Sequence, residues 1–287
     1  MKTVIISDIN SKSDSVIPYG LNLAKHLESE VDVLHIIDTR IQQGKYSSVS
    51  DSQSITPGSK LSPEEFLQKE KNKARLNLDK ILSAEVSRLN YPLKVHTAIT
   101  QNIIEDELKQ RSINDKESLF IINSEPDNYM FSSKNDILST IKNTGIIALI
   151  IDPGIKFKPF ERVFIPMKFG SEKYNAYARA QFLFKHFDMT IDAVDIAKKK
   201  DYMKIELKAA RWKKSTRKDF SPANLATHIM EGKDRIETLS DYMGKNNHDL
   251  MMFFKKKENL INRIFKPNKL ELLVNQTNIP VLLHYFH

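Results

Sequence analysis

The dipeptide Lys25-His26 returns as Lys185-His186, 160 positions later, and its surroundings return in the same register. Ile5 matches Ile165, Leu23 matches Leu183, Asp32 matches Asp192 and Ile36 matches Ile196, with no gap between residues 5 and 36. Further along a shorter register takes over. Ile104 matches Ile236 and Phe120-Ile121 matches Met252-Phe253 at a spacing of 132, and Ala148-Leu149-Ile150 matches Val281-Leu282-Leu283 at 133. A period this long is well beyond a solenoid unit of roughly 20 to 50 residues, so it implies one domain written twice. The second copy then lacks about 27 residues in its middle. The expected domains are residues 1–153 and 154–287, each long enough for a core of its own.

Each half alternates between two hydrophobic periods. In the first, 3–7 is a short β-branched run of the kind buried on both faces of a sheet. Ser13-Asp14 can cap a helix running to about Glu28, with Val16, Ile17, Leu21, Ala24 and Leu27 on one face. A strand over 31–37 follows, then a loop over 39–60 rich in Ser, Gln, Gly and Pro. Ser62-Pro63-Glu64-Glu65 starts a helix, with proline in the first turn and acids at the positive end of the dipole. That helix should end near Leu89, before Pro92. The remaining order is strand 93–100, helix 103–111, strand 118–123, helix 136–142 and strand 146–151. The second half reads strand 163–166, helix 172–186, strand 190–196, a shorter helix 202–214 that accounts for the missing residues, strand 225–230, helix 234–245, strand 250–254, helix 270–275 and strand 279–285. Strands separated by helices imply right-handed crossovers. The expected fold is therefore α/β, two doubly wound, Rossmann-like domains with five-stranded parallel sheets, whose ligand sites lie beyond the carboxyl ends of the strands.

Composition narrows the function classes. The chain has no cysteine, which removes disulfides, thiolate chemistry and soft metal ligands. No apolar run approaches the ~18 residues of a membrane span, and the opening strand is too short for a signal-peptide core, so a cytoplasmic protein without membrane association is expected. The net charge of +8 is unevenly spread. Residues 1–153 hold 18 Lys+Arg against 21 Asp+Glu, and residues 154–287 hold 26 against 15. The second half carries Lys198-Lys199-Lys200, Arg211-Trp212-Lys213-Lys214 and Lys255-Lys256-Lys257. Such runs suit nucleic-acid phosphate or anionic lipid, and equally suit solvated faces. A single Trp is too little for a single-strand stacking platform, so nucleic acid is not the expected partner.

Val4-Ile5-Ile6-Ser7-Asp8, the helix ending Leu23-Ala24-Lys25-His26-Leu27, and Val33-Leu34-His35-Ile36-Ile37-Asp38 together resemble the opening of a universal stress protein domain. Glu231-Gly232 after the third strand of the second half and Asn278-Ile279-Pro280-Val281-Leu282-Leu283 at the close resemble that family's junction and final strand. The resemblance spans nearly all of both halves. It implies the adenine-nucleotide alpha-hydrolase-like fold and two universal stress protein domains in tandem. It also implies that last strands pair, making a pseudo-dimer through Ile147, Leu149 and Ile151 against Val281 and Leu283, with a further homodimer open.

Nucleotide-binding members of that family carry G-x2-G-x9-G-[ST] after the fourth strand, because only a backbone without Cβ lets amide N–H groups close around phosphates at a helix start. Here 123–135 contains no glycine and adds Glu125 and Asp127. The segment 255–268 is basic, also lacks glycine, and loses a donor at Pro267. ATP in the family manner is therefore not expected, and no cofactor is. The ligand positions that the resemblance implies are Asp8, Ile36, Asn123 and Asn135 in the first half and Lys168, Lys255 and Asn268 in the second. Asp8 stands where nucleotide-binding members keep an Asp, though an acid there also suits a cap; its repeat partner is Lys168. Lys168, Lys255, Lys256, Lys257 and Lys266 could form an anion pocket. His35 matches Asp195, and His26 and His186 sit where a helix end favours a cation. No P-loop, nucleophile elbow or metal-ligand spacing occurs, so no catalytic or metal residue is assigned. The expected function is a stress-response or signalling accessory that binds a partner or small ligand through degenerate nucleotide sites. The alternative is a nucleotide or phospho-ligand binder with weak hydrolysis, using Asp8 or the basic second-half loops.

Overall fold

The structure, a computed structural model, describes residues 1–7, 16–39, 62–115, 117–125, 130–131, 133–170, 180–217, 224–232, 234–256 and 269–286. The chain divides into two compact units, Met1–Phe157 and Lys158–His287. The first contains β1 Lys2–Ile6, α1 Val16–His26, β2 Glu30–Ile37, α2 Pro63–Leu89, β3 Val95–Gln101, α3 Ile104–Asn114, β4 Ser118–Asn123, α4 Lys134–Thr144 and β5 Ile147–Ile151. Its strands lie in the order β3-β2-β1-β4-β5, every neighbour parallel. The order reverses at β1, with β2 on one side and β4 on the other, which is the switch point of a doubly wound sheet.

The second unit contains β6 Arg162–Pro166, α5 Gln181–His186, β7 Thr190–Ala197, α6 Tyr202–Thr216, β8 Leu225–Glu231, α7 Arg235–Lys245, β9 Leu250–Lys256, α8 Lys269–Gln276 and β10 Val281–Phe286. Its order is β8-β7-β6-β9-β10, again all parallel. Both units are thus the α/β type read from the sequence. The expected helix starts at Ser13-Asp14 and at 172, and the 40–60 loop, lie outside the described residues.

Local chemistry accounts for the elements. Buried strands β1 and β4 are continuous apolar runs, with Val4, Ile5, Ile6, Phe120 and Ile121 all at the core. Helix α2 opens with a complete capping box: Ser62 Oγ accepts from Glu65 N, and Glu65 Oε2 accepts from Ser62 N at 2.7 Å. Its surface is largely polar, with Ala74, Leu78 and Leu82 buried. Helix α1 lies so close on the sheet at Gly20 that a Cβ there would meet Ile5 Cδ1 at 2.5 Å and Ile121 Cδ1 at 3.1 Å. Ala180, 160 positions on, is fully buried. Phe157 packs edge-on to Tyr19 of α1 at 5.5 Å, which ties residues past Pro153 to the first unit.

Pairing registers carry the repeat. Lys2↔Glu30 through Ile6↔Leu34 in β1/β2 becomes Arg162↔Thr190 through Pro166↔Val194 in β6/β7, with each partner advanced by 160. The fourth strand of each unit corrects the sequence alignment. Val4 pairs with Phe120 and its counterpart Phe164 pairs with Met251, so Phe120 corresponds to Met251 and not to Met252, while Phe120↔Ala148 and Met251↔Val281 keep the spacing of 133 in the last strand. A continuous apolar strand has no alternation to fix its phase, and a slip of one residue exchanges its faces. The shorter second copy is also only partly a matter of helix length. Helix α2 has 27 residues and α6 has 15, but β2 to α2 runs from Ile37 to Pro63 where β7 to α6 runs only from Ala197 to Tyr202.

Candidate functional site

In the first unit the carboxyl ends of β1, β2 and β4 converge on Ser7, Asp38, Asn123 and Ser124, all buried. Ser7 N donates to Leu34 O at 2.8 Å, and Ser7 O accepts from His35 Nδ1 at 3.0 Å. The two amides that leave β4 are engaged as well. Ser124 N donates to Ile151 O at 2.8 Å, and Glu125 N donates to the side chain of Asn123 at 3.0 Å. At the start of α4, Ser133 Oγ accepts from Asp136 N, and Asp136 adds an acid to the first turn. Lys134 is drawn to Asp152, 3.4 Å away. Among the described residues of this strand-to-helix turn, where a phosphate cradle would form, the amides of Ser124, Glu125 and Asp136 are satisfied by the chain itself.

The corresponding edge of the second unit is organised around an ion pair between the buried Asp195 and the half-buried Arg235. Asp195, 1% exposed on β7, accepts from Phe169 N and Ile196 N, each at 2.8 Å. Its Oδ1 also accepts from Arg235 Nη1 at 2.8 Å, while Arg235 Nη2 donates to Met167 O. The guanidinium therefore bridges the ends of β6 and β7. Lys168 is exposed one residue after Met167. Gly170, with φ +89, has the alkyl chain of Lys208 lying over it, so close that a Cβ would meet Lys208 Cδ at 2.7 Å. Lys255 stands next to last in β9, in register with Tyr285 of β10.

Buried polar groups also gather at the opposite, amino edge. Asp192, on β7, accepts from Arg162 Nε at 3.1 Å, His228 Nε2 at 3.0 Å and His248 Nε2 at 2.9 Å. Burial pushes the Asp192 carboxyl up, but hydrogen bonds from His248, His228 and Arg162 outweigh it and hold the group below its ordinary value. His248 Nδ1 lies 3.1 Å from Met243 O, so the ring is held between a backbone carbonyl and the Asp192 carboxylate. The Tyr242 ring lies tilted against both histidines, 5.5 Å from His228 and 5.7 Å from His248, and burial together with the Asp192 charge raises its phenol. In the first unit Asp32 meets Lys2 at 3.4 Å and Arg111 at 3.3 Å, beside a cavity of about 340 Å³ lined also by Glu107, Asp115 and Ser118. Among the described residues no group of three or more His, Asp or Glu is arranged to hold a metal ion.

Comparison with solved structures identifies this arrangement. A universal stress protein from Archaeoglobus fulgidus DSM 4304 superposes with a TM-score of 0.70 over 99% of this chain and 98% of its own, at 13% identity. The chain has the universal stress protein fold. A functionally unknown protein from Pseudomonas aeruginosa PAO1 superposes with a TM-score of 0.60 over 99% of this chain and 92% of its own, at 12% identity. No family model and no curated protein matches the sequence.

On the universal stress protein fold, the positions read from the sequence scatter in depth. Asn123 closes β4 and is buried; Asn135 is exposed on the first turn of α4. Ile36 is 2% exposed inside β2, paired in register with Thr100. Lys168 and Lys255 lie at the carboxyl edge of the second unit, as described above. Asp8 and Asn268, with Lys257 and Lys266, lie outside the described residues. Ile147, Leu149 and Ile151 lie on β5, and Val281 and Leu283 on β10. Sequence reading passed over Arg235. Its signal was there: a cation in the first turn of a helix opposes the helix dipole, and Asp195 is a second acid, after Asp192, in a strand that is otherwise mostly apolar.

Proposed function

We propose that the chain is a tandem universal stress protein, a cytoplasmic stress-response or signalling accessory that works by binding a partner or small ligand and does not take ATP through a phosphate cradle. The observation that carries this reading is the hydrogen-bond state of the turn after β4, where Ser124 N and Glu125 N are already bonded to Ile151 O and Asn123. A triphosphate would have to break those bonds and lie against Glu125 and Asp136, with no glycine in 123–135 to let the backbone reshape. The Arg235–Asp195 pair supports the same reading in the second unit, since its guanidinium already has anionic and carbonyl partners. Calorimetric titration with ATP, ADP and AMP tests this, and micromolar binding of any of them would sink it.

A second reading has its own support in the cations Lys168, Lys208 and Lys255 at the carboxyl edge of the second unit. They favour a phosphorylated ligand held by side-chain charge alone. Under that reading, pyrophosphate binds the purified protein and the double variant Lys168→Glu with Lys255→Glu does not bind it.

A further inference from the structure

Helix α6 turns one face to the core and leaves the other without a protein partner. Ala209, Trp212 and Thr216 are buried and share the inner face. Opposite them, at the i, i+4, i+7 spacing of one helical stripe, stand Met203, Leu207 and Ala210. All three are exposed, Met203 at 78% and Leu207 at 58%. A solvated face should put its polar side chains there; this one puts two large apolar side chains at its centre.

Cations surround that stripe. Lys204 and Arg211 flank it on one side, Lys213 and Arg217 on the other, Lys214 continues it, and Lys198-Lys199-Lys200 precede it; all are exposed. Over residues 198–217 nine Lys and Arg face two acids, Asp201 and Glu206. The whole of the first 153 residues, by contrast, carries a slight acidic excess. The patch is therefore local and is not a consequence of general basicity.

We propose that the outer face of α6 docks on an anionic lipid surface, with Met203 and Leu207 entering the headgroup layer and the surrounding lysines and arginines lying against lipid phosphates. Charge complementarity selects an anionic partner, and a cluster of basic side chains on a helix with apolar residues at its centre is the pattern of an interfacial helix. Nucleic acid would use the same cations but has no role for exposed Met and Leu, and the one tryptophan of the helix is turned inward. No helix of the described residues is long and apolar enough to cross a membrane, so the contact is peripheral.

Flotation of the full-length protein with vesicles tests this. Vesicles of phosphatidylcholine and phosphatidylglycerol should carry the protein, phosphatidylcholine alone should not, and binding should fall as salt rises because exposed charges are screened. Lys204→Glu, Arg211→Glu and Lys214→Glu together should weaken binding on the order of a hundredfold, given the strength of each basic contact with an anionic surface. Met203→Ser with Leu207→Ser should weaken it several-fold at low salt. Circular dichroism and the thermal midpoint should be unchanged in both variants, since every replaced side chain is exposed. Failure to float with anionic vesicles would overturn the proposal. So would full binding by the serine variant, or tighter, equally salt-sensitive binding to duplex RNA that the serine variant retains.

Discussion

Asp192 shows how a single buried charge can organise one edge of a domain. Three donors, Arg162, His228 and His248, converge on a carboxylate that is 2% exposed. Its depressed acidity gives a signed expectation. A carboxylate whose folded pKa lies below its unfolded value contributes stability above the unfolded value, about 4, and loses it as pH falls through the folded one. Asp249 opposes this: burial pushes its carboxyl up despite bonds from Glu161 N and Arg162 N, so its contribution weakens as pH rises. Asp192→Asn should therefore cost about 1 to 3 kcal/mol at neutral pH, because it replaces the ionised acceptor of three donors, of which His248 is fully buried, and the difference from wild type should shrink below pH ~4. Urea denaturation at several pH values measures this, and a pH-independent difference would contradict the assignment. Arg235→Ala should likewise cost about 3 kcal/mol by leaving Asp195 buried without its cation; denaturation of that variant near the wild-type midpoint would show the pair to be dispensable. Neither network was legible from spacing. Asp192 entered the sequence reading only as the repeat of Asp32, and Arg235 did not enter it. Their partners come from different strands and from helix ends, which only the fold brings together.

Elements were legible where period and caps agreed. Ser62-Pro63-Glu64-Glu65 announced α2, and its capping box is present. Strand β4 was read at 118–123 and stands at Ser118–Asn123, because a charged and a polar segment bound it on either side. Phase was harder than extent. In β4 the run Leu119–Ile122 and in β9 the run Leu250–Phe254 are apolar or aromatic throughout, so nothing local fixes which residue of one copy matches which of the other. Helix length misled in a similar way, since sequence alone does not separate a short helix from a short connection before it. Packing sets one requirement that the element carries as a whole: α1 meets β1 and β4 through Gly20. Gly20→Ala should destabilise by about 1 to 3 kcal/mol through overpacking against Ile5 and Ile121. Thermal denaturation of the variant reads this directly, and an unchanged midpoint would mean that the helix can lift off the sheet without cost.

At the scale of the molecule, the repeat read from Lys25-His26 and Lys185-His186 gave the right architecture while marking no site. Both dipeptides fall at the ends of α1 and α5, on scaffold. The fold was legible because strands and helices of two copies agree in order, and agreement over two copies averages out local ambiguity. The site was less so. Loops at strand ends are where the copies differ most, as His35 on Ser7 O and Asp195 on Phe169 N illustrate at matching positions. Among the described residues, what the two edges share is self-satisfaction of their polar groups, which supports the proposal that neither cradles the phosphates of ATP. The thermal midpoint with and without millimolar Mg-ATP tests it most directly. A ligand present at about a hundred times its Kd adds roughly 2.7 kcal/mol and would raise the midpoint by several degrees. The midpoint should not move beyond the shift given by an equal ionic strength of Mg-sulfate; a rise of several degrees with ATP beyond that control would contradict the absence of a cradle.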